Sequence, residues 1–139
     1  MNAIQTVEAF LNAYWAKDHE KTLALATEDF SWPNVAMPKV SIASRAAMRE
    51  VLVNQNMGFP EPIDSGHHET HNAVARDGLV LHERVDYWKL RGKEMNCPCC
   101  AVFEVRDGKV ALWRDYYDIG HVIRQFESVG IKIDTSLWF

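Results

Sequence analysis

Residues 76–93 read RDGLVLHERVDYWKLRGK, in which two glycine-containing turns enclose one continuous strand-like segment. Side chains of a β-strand alternate between its two faces, so the even-numbered residues of the segment 79–90 share one face. Arg84 and Asp86 therefore point the same way. Because strands normally carry Val or Leu at buried positions, this placement of two charged side chains marks them as candidate functional residues.

A second strand-like segment, residues 109–119, carries Asp115. If both strands belong to one sheet, Asp115 meets Arg84 and Asp86 across that sheet. A salt bridge on a solvated face is the commoner arrangement for charged residues in strands. Large rings on the same faces favour a functional site instead, since a solvated face rarely carries so many: Trp88, Trp113 and Tyr117.

The composition predicts a single globular domain over residues 1–139. Hydrophobic residues make up 47% of the chain, enough to bury a core. A formal charge of -4, without long Lys/Arg clusters, argues against a nucleic-acid partner. No apolar run reaches the roughly 18 residues of a membrane span, and the first residues lack the basic and apolar regions of a signal peptide. We expect a cytoplasmic protein without a membrane partner.

The cysteines and histidines favour structural roles over a metal site. Cys97, Cys99 and Cys100 are odd in number, and disulfides between such close neighbours would be strained. No second cysteine pair follows at zinc-site spacing, so we expect buried thiols and no metal. His82 shares the face of Arg84, and a hydrogen-bonded core or rim histidine is favoured over a partner of the charged residues.

The remaining pattern predicts helices followed by hairpins. Helical spacing of apolar residues predicts helices at 3–16, 18–26, 45–54 and 121–128. Ser44 and Asp118 are expected N-caps, and His121 an expected surface residue. Residues 27–32 form a turn leading into a strand, and further strands are predicted at 63–76, 79–90, 95–106 and 109–119. This order indicates an α+β domain whose curved sheet wraps over helices and encloses a pocket.

Four segments carry a family resemblance: GLVLHERVD at 78–86, VFEV at 102–105, DGKV at 107–110 and WRDYYD at 113–118. They resemble the limonene-1,2-epoxide hydrolase family, which shares the cone-shaped fold of nuclear transport factor 2, ketosteroid isomerase and SnoaL-like polyketide cyclases. The resemblance implies a curved mixed sheet packed against N-terminal helices. It also implies a homodimer and an enzyme that adds water to a small hydrophobic epoxide, giving a vicinal diol in one step without a cofactor.

The resemblance assigns roles to individual residues. Asp86 corresponds to the general acid that protonates the epoxide oxygen, and Asp115 to the base that takes a proton from the attacking water. Arg84 corresponds to the arginine between the two carboxylates, and Asn34 to the asparagine that helps hold the water. Where the family has a water-positioning tyrosine, this chain has Trp32, whose indole N–H donates a hydrogen bond but accepts none.

The pocket lining is also expected to differ from that of the family. Apolar lining positions in the family correspond here to Trp88, Cys97 and Cys99, which combine a large indole with small thiols. Limonene oxide therefore need not be the substrate. Further candidates for the lining, for which core packing is an equal alternative, are Tyr117, Met57 and Ile63.

Two other functions fit the same residues. A proton-transfer enzyme, similar to ketosteroid isomerase or a polyketide cyclase, would use Asp115 as base and protonated Asp86 to hold an enolate oxygen. Trp32 slightly favours this alternative. A non-catalytic protein would keep the pocket to bind a hydrophobic ligand. Apolar residues on the other strand faces are expected to pack on helices or on a second subunit: Leu81, Val85, Tyr87, Leu112 and Tyr116.

Overall fold

A computed structural model describes residues 1–139 as four α-helices and five β-strands. The helices are α1 (Ala3–Trp15), α2 (His19–Ala24), α3 (Arg45–Asn54) and α4 (Ile119–Glu127). The strands are β1 (Ala26–Ser31), β2 (Ser65–Arg76), β3 (Leu79–Leu90), β4 (Lys93–Arg106) and β5 (Lys109–Tyr117). None of the helices combines the length and the apolar character that crossing a membrane requires.

The five strands form one curved mixed sheet in the order β1-β5-β4-β3-β2. β1 runs parallel to β5, and the other neighbours are antiparallel. The predicted α+β fold is therefore confirmed. The expectation of a helix over 18–26 was too long, because Ala26 already pairs with Val110 of β5 and the helix ends at Ala24. Pairing with β5 satisfies the backbone N–H and C=O groups at this position, which would otherwise form hydrogen bonds within the helix.

Tight turns connect β2 to β3, β3 to β4 and β4 to β5, and they set the register of these three hairpins. Asp77 and Gly78 have φ angles of 51° and 80°, as a two-residue type I′ turn requires. The sequence prediction of hairpin turns is confirmed. Arg91 and Gly92 form the corresponding turn between β3 and β4, which places Arg84 opposite Cys99 and Asp86 opposite Cys97. Side chains at these positions share the inner face of the sheet.

The inner face of the sheet packs against α1. Apolar residues of α1 at helical spacing are buried, namely Val7, Phe10, Leu11, Tyr14 and Trp15. A capping box between Asn2 and Gln5 starts this helix. Gly66 of β2 permits its close approach, because a Cβ atom there would lie 2.2 Å from the Trp15 ring. The expected caps Ser44 and Asp118 accept hydrogen bonds from Ala47 and His121, as predicted.

The outer face of the sheet carries exposed apolar side chains. Leu81 is 47% exposed and Tyr116 is 49% exposed, and Val74 and Leu79 add to the same face. The other expected members, Val85, Tyr87 and Leu112, are partly buried. Because Leu81 and Tyr116 are exposed, the helices of this chain leave that part of the outer face uncovered.

Candidate active site

A cavity of about 790 Å³ opens between the inner face of the sheet, the helices α1, α3 and α4, and three loop segments at 32–42, 55–60 and 132–138. Asp86 of β3 and Asp115 of β5 lie in its wall, with side chains 12% and 14% exposed. Their access to the cavity follows from strand alternation, because each carboxylate occupies an inner position of its strand. Most of the residues that line the cavity are hydrophobic, and the carboxylates of Asp86 and Asp115 lie on the side formed by the sheet.

Arg84 joins the two carboxylates. Its Nε atom donates to Asp86 Oδ1 at 2.8 Å, and its Nη2 atom donates to Asp86 Oδ2 at 3.2 Å. The same Nη2 atom lies 3.0 and 2.9 Å from Asp115 Oδ1 and Oδ2. Thus the structure brings together the three charged residues that strand alternation predicted would meet. The Arg84 side chain is completely buried, so its charge is held almost entirely by these carboxylates.

The charges of this group depend on one another. Burial alone would lower the pKa of Arg84, but Asp115 and Asp86 raise it well above its usual value, and the guanidinium stays charged. Burial raises the pKa of Asp115, and the Asp86 carboxylate raises it further, against the opposing effects of Arg84 and Trp113. The charges of Asp86 and Arg84 therefore act in opposite directions on the pKa of Asp115.

Trp113 provides a hydrogen bond that the sequence did not reveal. Its Nε1 atom donates to Asp115 Oδ1 at 2.8 Å, and its ring stacks on Trp32 with centroids 4.3 Å apart and planes 6° apart. The available signal was that Trp113 lies two residues before Asp115 on the same strand face. Trp32 therefore supports the residue that orients the candidate base, and it also lines the cavity.

Asn34 lies in the loop that follows Trp32 and also lines the cavity. Its backbone N–H donates to Ser41 Oγ at 2.8 Å, and its Oδ1 accepts from the Met37 N–H at 3.1 Å. These bonds fix the carboxamide within the loop. The side-chain NH₂ group makes no hydrogen bond within the protein, so it remains available to a molecule in the cavity.

Most of the predicted lining residues border the cavity. These are Trp88, Cys97, Cys99, Tyr117 and Met57. Ile63 does not: it is 3% exposed and belongs to the hydrophobic core, so core packing is the correct alternative for this residue. Its position just before β2 turns the side chain into the core.

Two thiols face the candidate acid and base. Cys99 Sγ lies 3.8 Å from Asp86 Oδ2, as a weak donor. Burial, followed by the charges of Asp86 and Asp115, raises the pKa of Cys97 to about 12. Burial also raises the pKa of Cys99. Both thiols therefore stay protonated at neutral pH, which makes them poor nucleophiles and poor metal ligands.

Other cavity residues were missed by the sequence interpretation. Tyr14 of α1 borders the cavity, and its hydroxyl donates to the Met57 carbonyl at 2.8 Å. From the sequence, the position of Tyr14 in an amphipathic helix indicated only that its side chain packs in the core. Side chains from residues 132–138 also reach the cavity wall, and no local pattern predicted their placement.

Glu8 holds a second polar cluster outside the cavity. Its carboxylate oxygens lie 2.7 Å from His82 Nε2 and 2.7 Å from His68 Nε2, and Thr70 donates to it. Burial would raise the pKa of Glu8, but the hydrogen bonds from His82, Thr70 and His68 outweigh it and lower the pKa to about 2. The interpretation of His82 as a hydrogen-bonded core histidine is confirmed.

Potential metal ligands come together at two places. The atoms of Glu8, His68 and His82 lie within 4.8 Å of one another, as do those of Asp86, Cys99 and Asp115. In the first group both histidine Nδ1 atoms are buried without the partner that metal-binding histidines usually have. In the second group the Arg84 guanidinium already donates hydrogen bonds to both carboxylates. We interpret the first group as a tether between α1 and the sheet.

His121 differs from its prediction as a surface residue. It is partly buried, and its Nε2 atom lies 2.9 Å from Asn96 Oδ1. Gln125 adds two hydrogen bonds to the backbone of Asn96. These contacts dock α4 on β4, a long-range pairing that helical periodicity alone does not predict.

Comparison with known proteins relates this site to a family. The sequence profile of the limonene-1,2-epoxide hydrolase catalytic domain matches residues 1–128. The chain is 33% identical to epoxide hydrolase EphG of Mycobacterium tuberculosis over 113 residues, which covers 81% of this chain and 71% of that protein.

Solved structures show the same fold. An LEH-like epoxide hydrolase of M. tuberculosis superposes with a TM-score of 0.74 and 28% identity, covering 91% of this chain and 93% of that one. TerC crystallised with polyporic acid gives a TM-score of 0.74 at 18% identity, covering 90% and 98% of the two chains. At that identity the likeness concerns the fold alone.

Proposed function

The chain belongs to the limonene-1,2-epoxide hydrolase family of hydrolases, and we propose that it adds water to a small hydrophobic epoxide in one step. Asp115 is the general base, Asp86 is the general acid, and the product is a vicinal diol. No cofactor takes part. The observation that supports this proposal most strongly is that one buried arginine, Arg84, holds both carboxylates at the wall of an apolar cavity.

The proposed step balances protons within the pair of carboxyls. A water molecule attacks one carbon of the epoxide while Asp115 accepts its proton. The carbon–oxygen bond of the ring breaks, and Asp86 donates its proton to the departing oxygen. Asp115 ends the step protonated and Asp86 ends it ionised. The proton must return to Asp86 before the next turnover, and the total charge of the pair does not change.

The hydrogen bonds around the pair favour this division of roles. Asp115 accepts from the Trp113 indole and, at both oxygens, from Arg84, which stabilises the ionised form that a base needs. Asp86 accepts its second bond from Arg84 at the longer distance of 3.2 Å, and its remaining neighbour is a weak thiol donor. Asp86, which has the weaker set of donors, is therefore the carboxyl to which we assign the role of acid.

Asn34 and Trp32 are proposed to hold the attacking water. Both border the cavity, and the carboxamide NH₂ of Asn34 has no partner within the protein. The indole N–H of Trp32 donates to a water oxygen, and Asp115 accepts from the water. The N–H groups of Asn34 and Trp32 thus take the place of the tyrosine hydroxyl. Donors are sufficient there, because the Asp115 carboxylate provides the acceptor for the water.

The lining supports an apolar substrate. Trp88, Cys97, Cys99, Tyr117 and Met57 surround the carboxylates, and neither thiol competes as a nucleophile because both stay protonated. Substrate binding then depends on removal of apolar surface from water. The reacting ring is placed by the acid, the base and the water site.

The decisive experiment offers purified protein a panel of terpene, cyclohexene and styrene-type oxides. Diol formation above the background of spontaneous hydration supports the proposal. Asp86→Asn and Asp115→Asn should each abolish turnover while the circular dichroism spectrum stays unchanged. If no diol forms, and ketosteroid or polyketide-like ketones exchange hydrogen in heavy water instead, the enzyme is a proton-transfer catalyst. Binding of an apolar ligand without either reaction would indicate a non-catalytic role.

A homodimer and a single domain complete the proposal. The exposed Leu81 and Tyr116 on the outer face provide an apolar surface for a second copy of the chain. One hydrophobic core includes residues from Val7 to Ile131, which supports a single domain over residues 1–139.

A further inference from the structure

The segment 129–139 borders the cavity, although the family profile ends at residue 128. Side chains of this segment in the cavity wall are Lys132, Ile133, Asp134, Leu137 and Trp138. The match to the family thus describes the carboxylates and the inner lining but not this part of the wall.

The segment 129–139 is held firmly against the rest of the protein. Ile131 is buried in the hydrophobic core, and Arg91 donates to the Val129 carbonyl at 2.9 Å. Asp134 accepts from the backbone N–H of Ser136 at 3.1 Å and so caps the turn that presents Leu137 and Trp138. The segment is therefore a formed part of the wall.

Lys39 connects this segment to the loop that follows Trp32. Its backbone N–H donates to the Trp138 carbonyl at 3.2 Å, and its Nζ atom donates to the Ser136 carbonyl at 3.0 Å. Apolar side chains from the two segments thereby form one continuous surface of the cavity. We call it the outer wall, and it consists of Met37, Val40, Ile133, Leu137 and Trp138.

Exposure places the outer wall at the mouth of the cavity. Leu137 is 65% exposed, whereas the carboxylates of Asp86 and Asp115 are 12% and 14% exposed. An epoxide ring must lie against these carboxylates to react. The cavity of about 790 Å³ lies in the upper part of the range typical of ligand sites. A compact epoxide at the carboxylates would leave the outer wall empty.

The charges at the cavity wall favour an uncharged occupant. Apart from the catalytic carboxylates, the charged lining residues are Lys39, Lys132, Glu50 and Asp134. Two cations and two anions leave no net charge to attract an ionised group. The apolar side chains of the outer wall, in contrast, gain from covering a hydrocarbon chain.

We infer that the outer wall binds the hydrocarbon chain that extends from the epoxide ring, which makes Leu137 and Trp138 specificity-determining residues for long, uncharged epoxides. The catalytic part of this inference rests on the proposed epoxide hydrolysis, and the binding part rests on the shape and lining of the cavity. It narrows the hydrophobic epoxide of the proposed function to one whose ring carries an apolar chain that reaches the outer wall.

The test uses terminal epoxyalkanes of increasing chain length. In the wild type, kcat/KM should rise by up to about fourfold for each methylene that the wall covers. In Trp138→Ala and Leu137→Ala this rise should be markedly smaller for the longer chains. Thr135→Ala is the matched control, because Thr135 lies in the same turn, is exposed and does not line the cavity. Its profile should equal that of the wild type.

Calorimetric binding of the matching vicinal alkanediols separates this inference from the proposed function. If no epoxide is hydrolysed but diol affinity still depends on chain length through Trp138 and Leu137, the proposed function fails and the binding role of the wall stands. If the wild type and both variants show the same dependence on chain length, the inference is overturned. Leu137→Ala, at a largely exposed position, keeps the test valid should Trp138→Ala fail to fold.

Discussion

The indole Nε1 of Trp113 donates a hydrogen bond of 2.8 Å to Asp115 Oδ1, and this bond links an aromatic cluster to the proposed base. Trp32 stacks on the same indole, and Phe10 and Tyr14 meet it edge-on. A carboxylate on a strand is thereby oriented by rings from α1, β5 and the loop after β1. The orientation of the base depends on core packing as well as on Arg84.

Trp113→Phe tests this link. The Trp113 hydrogen bond lowers the pKa of Asp115 against the effect of burial. Its loss should raise that pKa further, so the acid limb of the pH–rate profile should move to higher pH. We expect kcat to fall by about tenfold or more at neutral pH. Trp32→Phe, which keeps a ring on Trp113, should leave the acid limb in place; equal limbs in all three proteins would contradict the link.

Arg84→Met should destabilise the protein strongly. Removal of the guanidinium leaves two carboxylates beside each other with no cation between them. Breaking a buried ion group of this kind costs about 3–5 kcal/mol, measured by urea unfolding at pH 7. Adding Asp115→Asn to Arg84→Met should recover part of this loss, because one of the uncompensated charges disappears. Strictly additive effects of the two substitutions would show that the charges do not interact.

Strand alternation is the part of the site that the sequence could predict. Strand alternation predicted that Arg84, Asp86 and Asp115 meet, because the side-chain period of a strand is local. The turns at Arg91-Gly92 and Asp107-Gly108 fix how β3, β4 and β5 pair. The hydrogen bond from Trp113 was not predicted, because it depends on side-chain rotamers.

Long-range docking explains the other failures of prediction. His121 was expected at the surface, yet it bonds to Asn96 of β4. For Ile63 the pocket lining and the core were equal alternatives, and the side chain packs in the core. Contacts between Lys39 and the segment that carries Trp138 join residues about a hundred positions apart. The periodicity of a helix or strand depends on neighbouring residues and contains no information on such long-range contacts. The outer wall is therefore visible only in the folded structure.

Glu8→Gln should weaken the protein in a pH-dependent way. Hydrogen bonds in the folded state lower the pKa of Glu8 to about 2, so its carboxylate contributes stability above the unfolded pKa near 4.5. We expect a loss of about 1–3 kcal/mol at pH 7, from urea unfolding. The difference from the wild type should shrink as the pH falls from about 4.5 towards 2. Glu28→Gln, at an exposed position, is the control and should change little.

Leu81→Asp tests the proposed homodimer. A carboxylate in the centre of the exposed apolar face would be buried without a partner at a subunit interface, so the variant should elute as a monomer in gel filtration. Val53→Asp, at an exposed position on α3, should elute with the wild type. A wild type that is already monomeric at micromolar concentration would contradict the proposal.

The central claim is that Asp115 activates a water that attacks the epoxide directly, while Asp86 supplies the proton. A single turnover with enzyme in excess, in water enriched in the heavy oxygen isotope, measures this most directly by mass spectrometry of the diol. The first diol molecules should already carry one heavy oxygen from the solvent. First-turnover diol without the heavy isotope would contradict it, because the added oxygen would then come from a carboxylate of the enzyme through a covalent ester.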